Sequence, residues 1–178
     1  QGNHLVIYDA DGATEIERFA FPRQPGGERL CLADFTAEWN GTGRARDYVA
    51  MFVTTCGIGL REIVHKLKAD GEYLKCHALQ ALAIESAEGF AELLHRKLRA
   101  MWGFPDSTEL GMRERFQAKY RGVRVSFGYP ACPSLEDQAK LWRLLEPESA
   151  IGVKLTEGFM MDPEASVSAL VFHHPEAR

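Results

Sequence analysis

The chain predicts an α+β domain: a largely antiparallel twisted sheet with one long helix and shorter helices packed on it. Two observations carry this. Runs of β-forming apolar residues lie toward both ends of the 178 residues, and the helical periodicity is grouped between them.

His4–Tyr8 (HLVIY) is a short apolar run, Asp9 to Gly12 is a turn signal, and Glu15–Phe21 resumes with alternation, so strand, turn and second strand follow. Residues 22–27 are a proline- and glycine-rich loop. Leu30–Phe35 is a short apolar segment leading into a turn at Asn40 to Gly43, and Tyr48–Thr54 (YVAMFVT) reads as a buried strand. Leu60–Ala69 predicts a short helix closed by Asp70 and Gly71. From Glu72 to Met101 only Gly89 interrupts a pattern in which Leu79, Leu82, Ala83, Ala87, Phe90, Ala91, Leu94, Leu98 and Met101 recur at i, i+3, i+4. That is one long amphipathic helix, stopped by residues 102–105, with Glu92 and Arg96 spaced to pair on its polar face.

Thr108–Tyr120 predicts a further helix capped by Ser107 and stopped by Gly122. Ser134 to Asp137 resembles a capping box that opens a helix through Leu145, ending before Pro147. Extended segments follow at Gly152–Thr156 and Phe159–Met161, then a turn at Asp162 and Pro163. Ser166–Phe172 (SVSALVF) closes the pattern as a strand buried on at least one face. There is no internal repeat and no low-complexity segment.

Composition narrows the function classes. A 46% hydrophobic and 26% charged chain of net charge −4 is an ordinary globular one, with no pull toward nucleic acid or an anionic membrane. No apolar run approaches the ~18 residues of a membrane span, and no signal peptide opens the chain. Cys31, Cys56, Cys76 and Cys132 are far apart with no CxxC pair, which points to free thiols in a reducing cytoplasm. The chain opens at Gln1 without a methionine and stops just after an apolar strand, so the expectation is a single domain over 1–178, cut from a longer polypeptide and truncated at both ends.

Several motifs carry little. Cys56 to Gly59 follows a strand as a phosphate loop would, but lacks the third glycine of GxGxxG and the lysine of a P-loop. The six histidines show no HExxH or HxxxH spacing, so a metal site at Cys76, His77 or His173 and His174 would need distant partners. No Gly-x-Ser-x-Gly elbow is present. Residues 113–124 hold five basic residues against Glu114 alone, a solvated face or a receiver of carboxylates and acidic proteins.

The run from Arg124 to Pro133 (RVSFGYPACP) stands apart. Pro130 and Pro133 fix φ and lack an N–H, so the segment is neither helix nor central strand. Gly128 allows a backbone conformation or close approach that a Cβ would block. A rigid loop of this kind either connects two elements or offers backbone groups to a ligand beside the charge of Arg124.

Arg124-x-x-x-Gly128-Tyr129-Pro130-Ala131-Cys132-Pro133 resembles the AdoMet-binding motif of the activation (reactivation) domain of cobalamin-dependent methionine synthase. Residues 145–148 (LEPE), 152–157 (GVKLTE), 163–168 (PEASVS) and 172–175 (FHHP) follow in that family's order and spacing. Upstream, 31–35 (CLADF), Asp47 with Tyr48, and 87–95 (AEGFAELLH) also match, so the resemblance covers nearly the whole chain.

The resemblance implies a C-terminal module of a large methyltransferase that makes methionine from homocysteine and methyltetrahydrofolate. It further implies that S-adenosylmethionine binds here while a neighbouring domain of the same polypeptide holds cobalamin, with zinc elsewhere in the full enzyme. When cobalamin oxidises to inactive cob(II)alamin, the module presents the methyl group of S-adenosylmethionine to cobalt, flavodoxin or a diflavin reductase supplies an electron, and methylcobalamin is regenerated. Matched to the motif, Arg124 binds the ligand through the methionine carboxylate, Ser126 lies where backbone groups read the adenine, Gly128 and Tyr129 shape the pocket floor, and Glu88 is an acid facing the ligand region. Two departures stand out. Ile84 and Ala118 occupy positions where some family members carry acids facing the cobalamin module. The family's further contacts, an upstream aspartate and a tyrosine pair beyond position 178, are outside this sequence. The alternatives are a stand-alone activation-type protein for another corrinoid methyltransferase and a non-catalytic docking module of the same fold.

Overall fold

The computed structural model describes residues 2–39, 42 and 47–177. The turn expected at Asn40 to Gly43 lies outside them except for Thr42. Among the described residues seven strands form three small antiparallel sheets rather than one continuous sheet. The N-terminal hairpin pairs β1 (His4–Tyr8) with β2 (Glu15–Ala20) across a turn closed by the Gly12 amide donating to the Asp9 carbonyl at 2.8 Å. The central sheet has the order β3 (Ala50–Thr55), β7 (Ser166–Phe172), β4 (Val123–Val125). β5 (Lys154–Leu155) and β6 (Met161–Asp162) form a two-residue pair where longer extended segments were expected.

β7 has neighbours on both edges and packing on both faces, so all seven of its residues are buried. Its alternation divides the molecule into two layers. On one face Val167 packs with Ala87 and Ala91 of α2 (Tyr73–Met101) and with Phe52. On the other, Leu170 and Phe172 join Leu5, Phe19, Phe21, Leu32, Phe127 and Leu141, the main core under the hairpin and α4 (Gln138–Leu145).

α2 and α1 (Leu60–Ala69) form where periodicity placed them. The buried stripe of α2 keeps Ala83, Ala87 and Ala91 of the expected one and differs elsewhere. It consists of Cys76, Ala83, Ala87, Ala91, His95 and Arg99, whereas Leu82 is 63% and Met101 80% exposed. Small residues let the helix lie close on the sheet, so the large apolar side chains ride on its flanks. Gly89 has no atom within 4 Å of where a Cβ would stand, so packing does not require it.

The helix expected at Thr108–Tyr120 shrinks to α3, Met112–Phe116. Ser107 makes only a local turn, its hydroxyl accepting from the Glu109 amide at 3.2 Å, and Gly111 is the residue before the helix, its amide bound to Glu114 Oε2 at 2.8 Å. The far end closes in a Schellman arrangement. Ala118 takes φ 51°, with its amide on the Arg115 carbonyl at 2.9 Å and the Lys119 amide on Glu114 at 3.0 Å. At residues 134–137 a 3-10 turn (Leu135–Asp137) replaces the expected capping box, with no side-chain cap from Ser134. The helix ends at Leu145, before Pro147, as expected, and Pro147 is the first residue of a further helix, α5 (Pro147–Ile151), where its missing N–H is harmless.

Candidate functional site

β4 is only three residues long, and its register decides what Arg124 can do. Arg124 sits opposite Val171, while Val123 and Val125 sit opposite Phe172 and Leu170. Directly opposed residues share a face, so the two valines point into the main core and Arg124 points to the α2 side. There it meets Glu88: Nη1 and Nη2 donate to the same oxygen, Oε2, at 3.4 and 3.5 Å. The Glu88 side chain is 55% exposed and that of Arg124 20%. These are long contacts to one oxygen on an open surface, worth at most about 1 kcal/mol, so a better-fitting carboxylate can displace Glu88. Such a carboxylate can take both guanidinium nitrogens in parallel.

Gly122 fixes how the chain enters β4. Its φ is +86°, and a Cβ would lie 2.5 Å from the Phe172 carbonyl oxygen. The loop beyond β4 is anchored at two points. Phe127 is buried and stacks on Phe19 at 5.8 Å between centroids, and Cys132 is buried, its thiol pushed up to about 12 chiefly by burial. Between these anchors Gly128, at φ +89°, donates to the Cys132 carbonyl at 2.9 Å, and the Cys132 amide donates back to Tyr129 at 2.8 Å. The closed turn exposes Tyr129, 65% accessible. Ser126 is half-buried between strand and turn. Arg124 and Glu88 thus form one contact, and Ser126, Gly128 and Tyr129 follow on the same short segment.

Beside this contact lies a buried polar cluster that sequence reading missed. Arg99, 1% exposed in its side chain, forms a two-pronged pair with Asp106, with Nε to Oδ1 at 2.6 Å and Nη2 to Oδ2 at 2.9 Å. The Arg99 guanidinium holds the Asp106 carboxyl below its ordinary range, ahead of the opposing effect of burial. The Arg99 guanidinium carbon also stacks 3.7 Å over the Tyr120 ring, and the Tyr120 hydroxyl donates to Glu92 Oε2 at 3.1 Å. Burial, with Glu92 next, pushes the Tyr120 phenol up to about 12. Glu92 therefore pairs with Tyr120 and Arg99 (3.7 Å) rather than with Arg96 as its spacing suggested. His95 is fully buried, edge-on to Tyr120 at 5.2 Å. Burial, then the charges of Arg99 and Arg124, push it down to about 3, so it is neutral. The residues 88, 92, 95 and 99 run along one flank of α2, a polar i, i+4, i+7, i+11 series that was the available signal.

Other features are separate. A concavity of about 1210 Å³ beside the N-terminal hairpin, lined by Tyr8, Asp11, Trp39 and Tyr48 among others, includes none of the five candidate residues. Among the described residues no group of three or more His, Cys, Asp and Glu side chains stands where it could hold a metal ion. None of their helices is long and apolar enough to cross a membrane. The four cysteines are unpaired, with Cys56 exposed. His173 is engaged with Asp47 at 2.8 Å.

Fold and site together define an α+β domain that offers an arginine on an edge strand, an acid on a facing helix and a rigid glycine-proline turn beside them. Residues 1–178 match the family model of the vitamin B12 dependent methionine synthase, activation domain, and the chain belongs to that family. It is 37% identical over 188 aligned residues to a methionine synthase of Mycobacterium tuberculosis, covering 100% of this chain and 16% of that protein. With a methionine synthase of Mycobacterium leprae it is 35% identical over 174 residues, 93% of this chain and 14% of the relative. A crystal structure of the MetH reactivation domain bound to AdoHcy superposes with a TM-score of 0.91 at 36% identity, covering 100% of this chain and 56% of that one. The chain therefore spans about a sixth of the length of these methionine synthases.

Proposed function

We propose that this domain binds S-adenosylmethionine on the Arg124–Glu88 face and positions it for reductive methylation of cob(II)alamin held by a neighbouring domain of the same polypeptide. The observation that carries the reading is the register of β4, which turns Arg124 away from the core and toward Glu88 beside the closed Gly128–Cys132 turn. The methionine end of the ligand is a zwitterion, and the residues fit it. Arg124 takes the carboxylate in two parallel hydrogen bonds, and Glu88, released from Arg124, faces the ammonium group. Ser126 contributes its backbone polar groups toward the adenine, Gly128 keeps the floor free of a Cβ, and Tyr129 offers an aromatic face.

The domain supplies binding and orientation. Cobalamin, when bound by its own domain, supplies the nucleophilic cobalt, and flavodoxin or a diflavin reductase supplies the electron. Membership of the activation-domain family and the AdoHcy bound in a solved relative support this reading.

The test is equilibrium titration of S-adenosylmethionine into this 178-residue chain and into a version extended at both ends. Binding by the extended version, with weaker binding by the short one, is expected; no binding by either contradicts the proposal. Unchanged reactivation in the intact enzyme after Arg124→Ala would point instead to a docking module of the same fold.

A further inference from the structure

Glu88 and Glu92 stand one helical turn apart on the same flank of α2, and their carboxylates have different partners. Glu88 meets Arg124 at 3.4 Å. Glu92 is turned aside, its Oε2 accepting from the Tyr120 hydroxyl at 3.1 Å and its Oε1 lying 3.7 Å from Arg99 Nη2. Tyr120 cannot swing freely, because Arg99 lies 3.7 Å over its ring and His95 abuts its edge at 5.2 Å. Arg99 is in turn locked to Asp106. The chain runs from Tyr120 into β4 within three residues, so the same backbone that holds the phenol also presents Arg124. The positive charge of Arg124 contributes, after burial and Arg99, to holding His95 neutral.

Side chains at i and i+4 have Cβ atoms about 6 Å apart, so a Glu92 carboxylate freed from Tyr120 can turn toward Glu88, which already meets Arg124. Arg124 would then face two carboxylates instead of one, and an entering carboxylate would have to displace both.

We infer that Tyr120 is a positioning residue for the ligand site: by tying down Glu92 it leaves Arg124 with a single, readily displaced competitor. This rests on the proposed binding of S-adenosylmethionine at Arg124. Tyr120 touches no ligand in this scheme and acts through Glu92. Replacing it with phenylalanine keeps the ring under Arg99 and against His95 and removes only the hydroxyl, so the fold stays intact.

The test is equilibrium titration of S-adenosylmethionine into the intact enzyme and three variants: Tyr120→Phe, Tyr120→Phe with Glu92→Gln, and Arg124→Ala. Tyr120→Phe should weaken binding roughly tenfold, and adding Glu92→Gln should return it to within about threefold of the unaltered enzyme. A purely structural hydroxyl would give no such rescue, because the second change removes a further partner of Arg99. Unaltered affinity in Tyr120→Phe, or a double variant as weak as the single one, overturns the inference. Arg124→Ala separates the two levels. If it binds normally the ligand reading itself fails, whereas if it loses binding while Tyr120→Phe does not, only the role of Tyr120 fails.

Discussion

Gly122 shows how one residue sets the geometry of the proposed site. It combines a left-handed φ of +86° with a carbonyl oxygen 2.5 Å from where a Cβ would stand. A side chain there must push β4 away from β7, and Arg124 moves with it. Gly122→Ala should therefore destabilise the fold by about 2 kcal/mol or more in urea unfolding, and an unchanged midpoint would refute this account. Arg99 is the second such residue. It is almost wholly buried with Asp106, so Arg99→Met leaves a buried carboxylate without its main partner. The expected loss is ~3 kcal/mol, again read from urea unfolding, and Asp106→Asn in the same background should recover part of it.

At the scale of elements, α2 carries Glu88 of the proposed site on one flank and lies on the sheet through another. Gly89 on this helix meets nothing, so Gly89→Ala should raise stability by about 0.5–1 kcal/mol with no effect on ligand binding; a melting temperature that falls would mean the position is packed after all. The contrast among elements also explains what the sequence disclosed. β1, α1 and β7 were legible to the residue, because each has one dominant periodicity or apolar run, with a turn signal at Asp9 after β1 and at Gly59 and Asp70 around α1. α3 was not. Its limits depend on Gly111 standing just outside the helix and on Ala118 adopting φ 51°, a conformation alanine does not advertise. Of the expected stripe of α2, Ala83, Ala87 and Ala91 are buried, whereas Leu82, Phe90 and Met101 are not, because close approach to the sheet selects alanine and leaves the larger apolar side chains outside. The burial of His95 and Arg99 was not legible because the groups they meet, Tyr120 and Asp106, lie on later segments. Arg124 was singled out by its motif, but its direction follows only from the pairing with Val171.

For the whole molecule, the buried cluster couples stability to acidity. His95 is held neutral, its folded value of about 3 lying below the ordinary 6.5. Between these values the unfolded chain takes up a proton that the folded one refuses. The contribution is complete above pH 6.5 and is lost as pH falls toward 3, at up to about 1.4 kcal/mol per pH unit. Urea midpoints measured from pH 7 to 5 should fall, and His95→Phe should flatten that slope; an equal slope in the variant would remove His95 as its source.

The layers place the polar flank of α2 and the Arg124 edge on the opposite side of the central sheet from the main core, so the proposed site can change partners without disturbing that core. The central claim is that Arg124 on this face receives the carboxylate of S-adenosylmethionine. Calorimetric titration of the intact enzyme against Arg124→Ala tests it most directly. The account predicts binding weakened by about 10- to 100-fold in the variant, the worth of a two-pronged charged hydrogen bond. Equal affinity in the two proteins would contradict it.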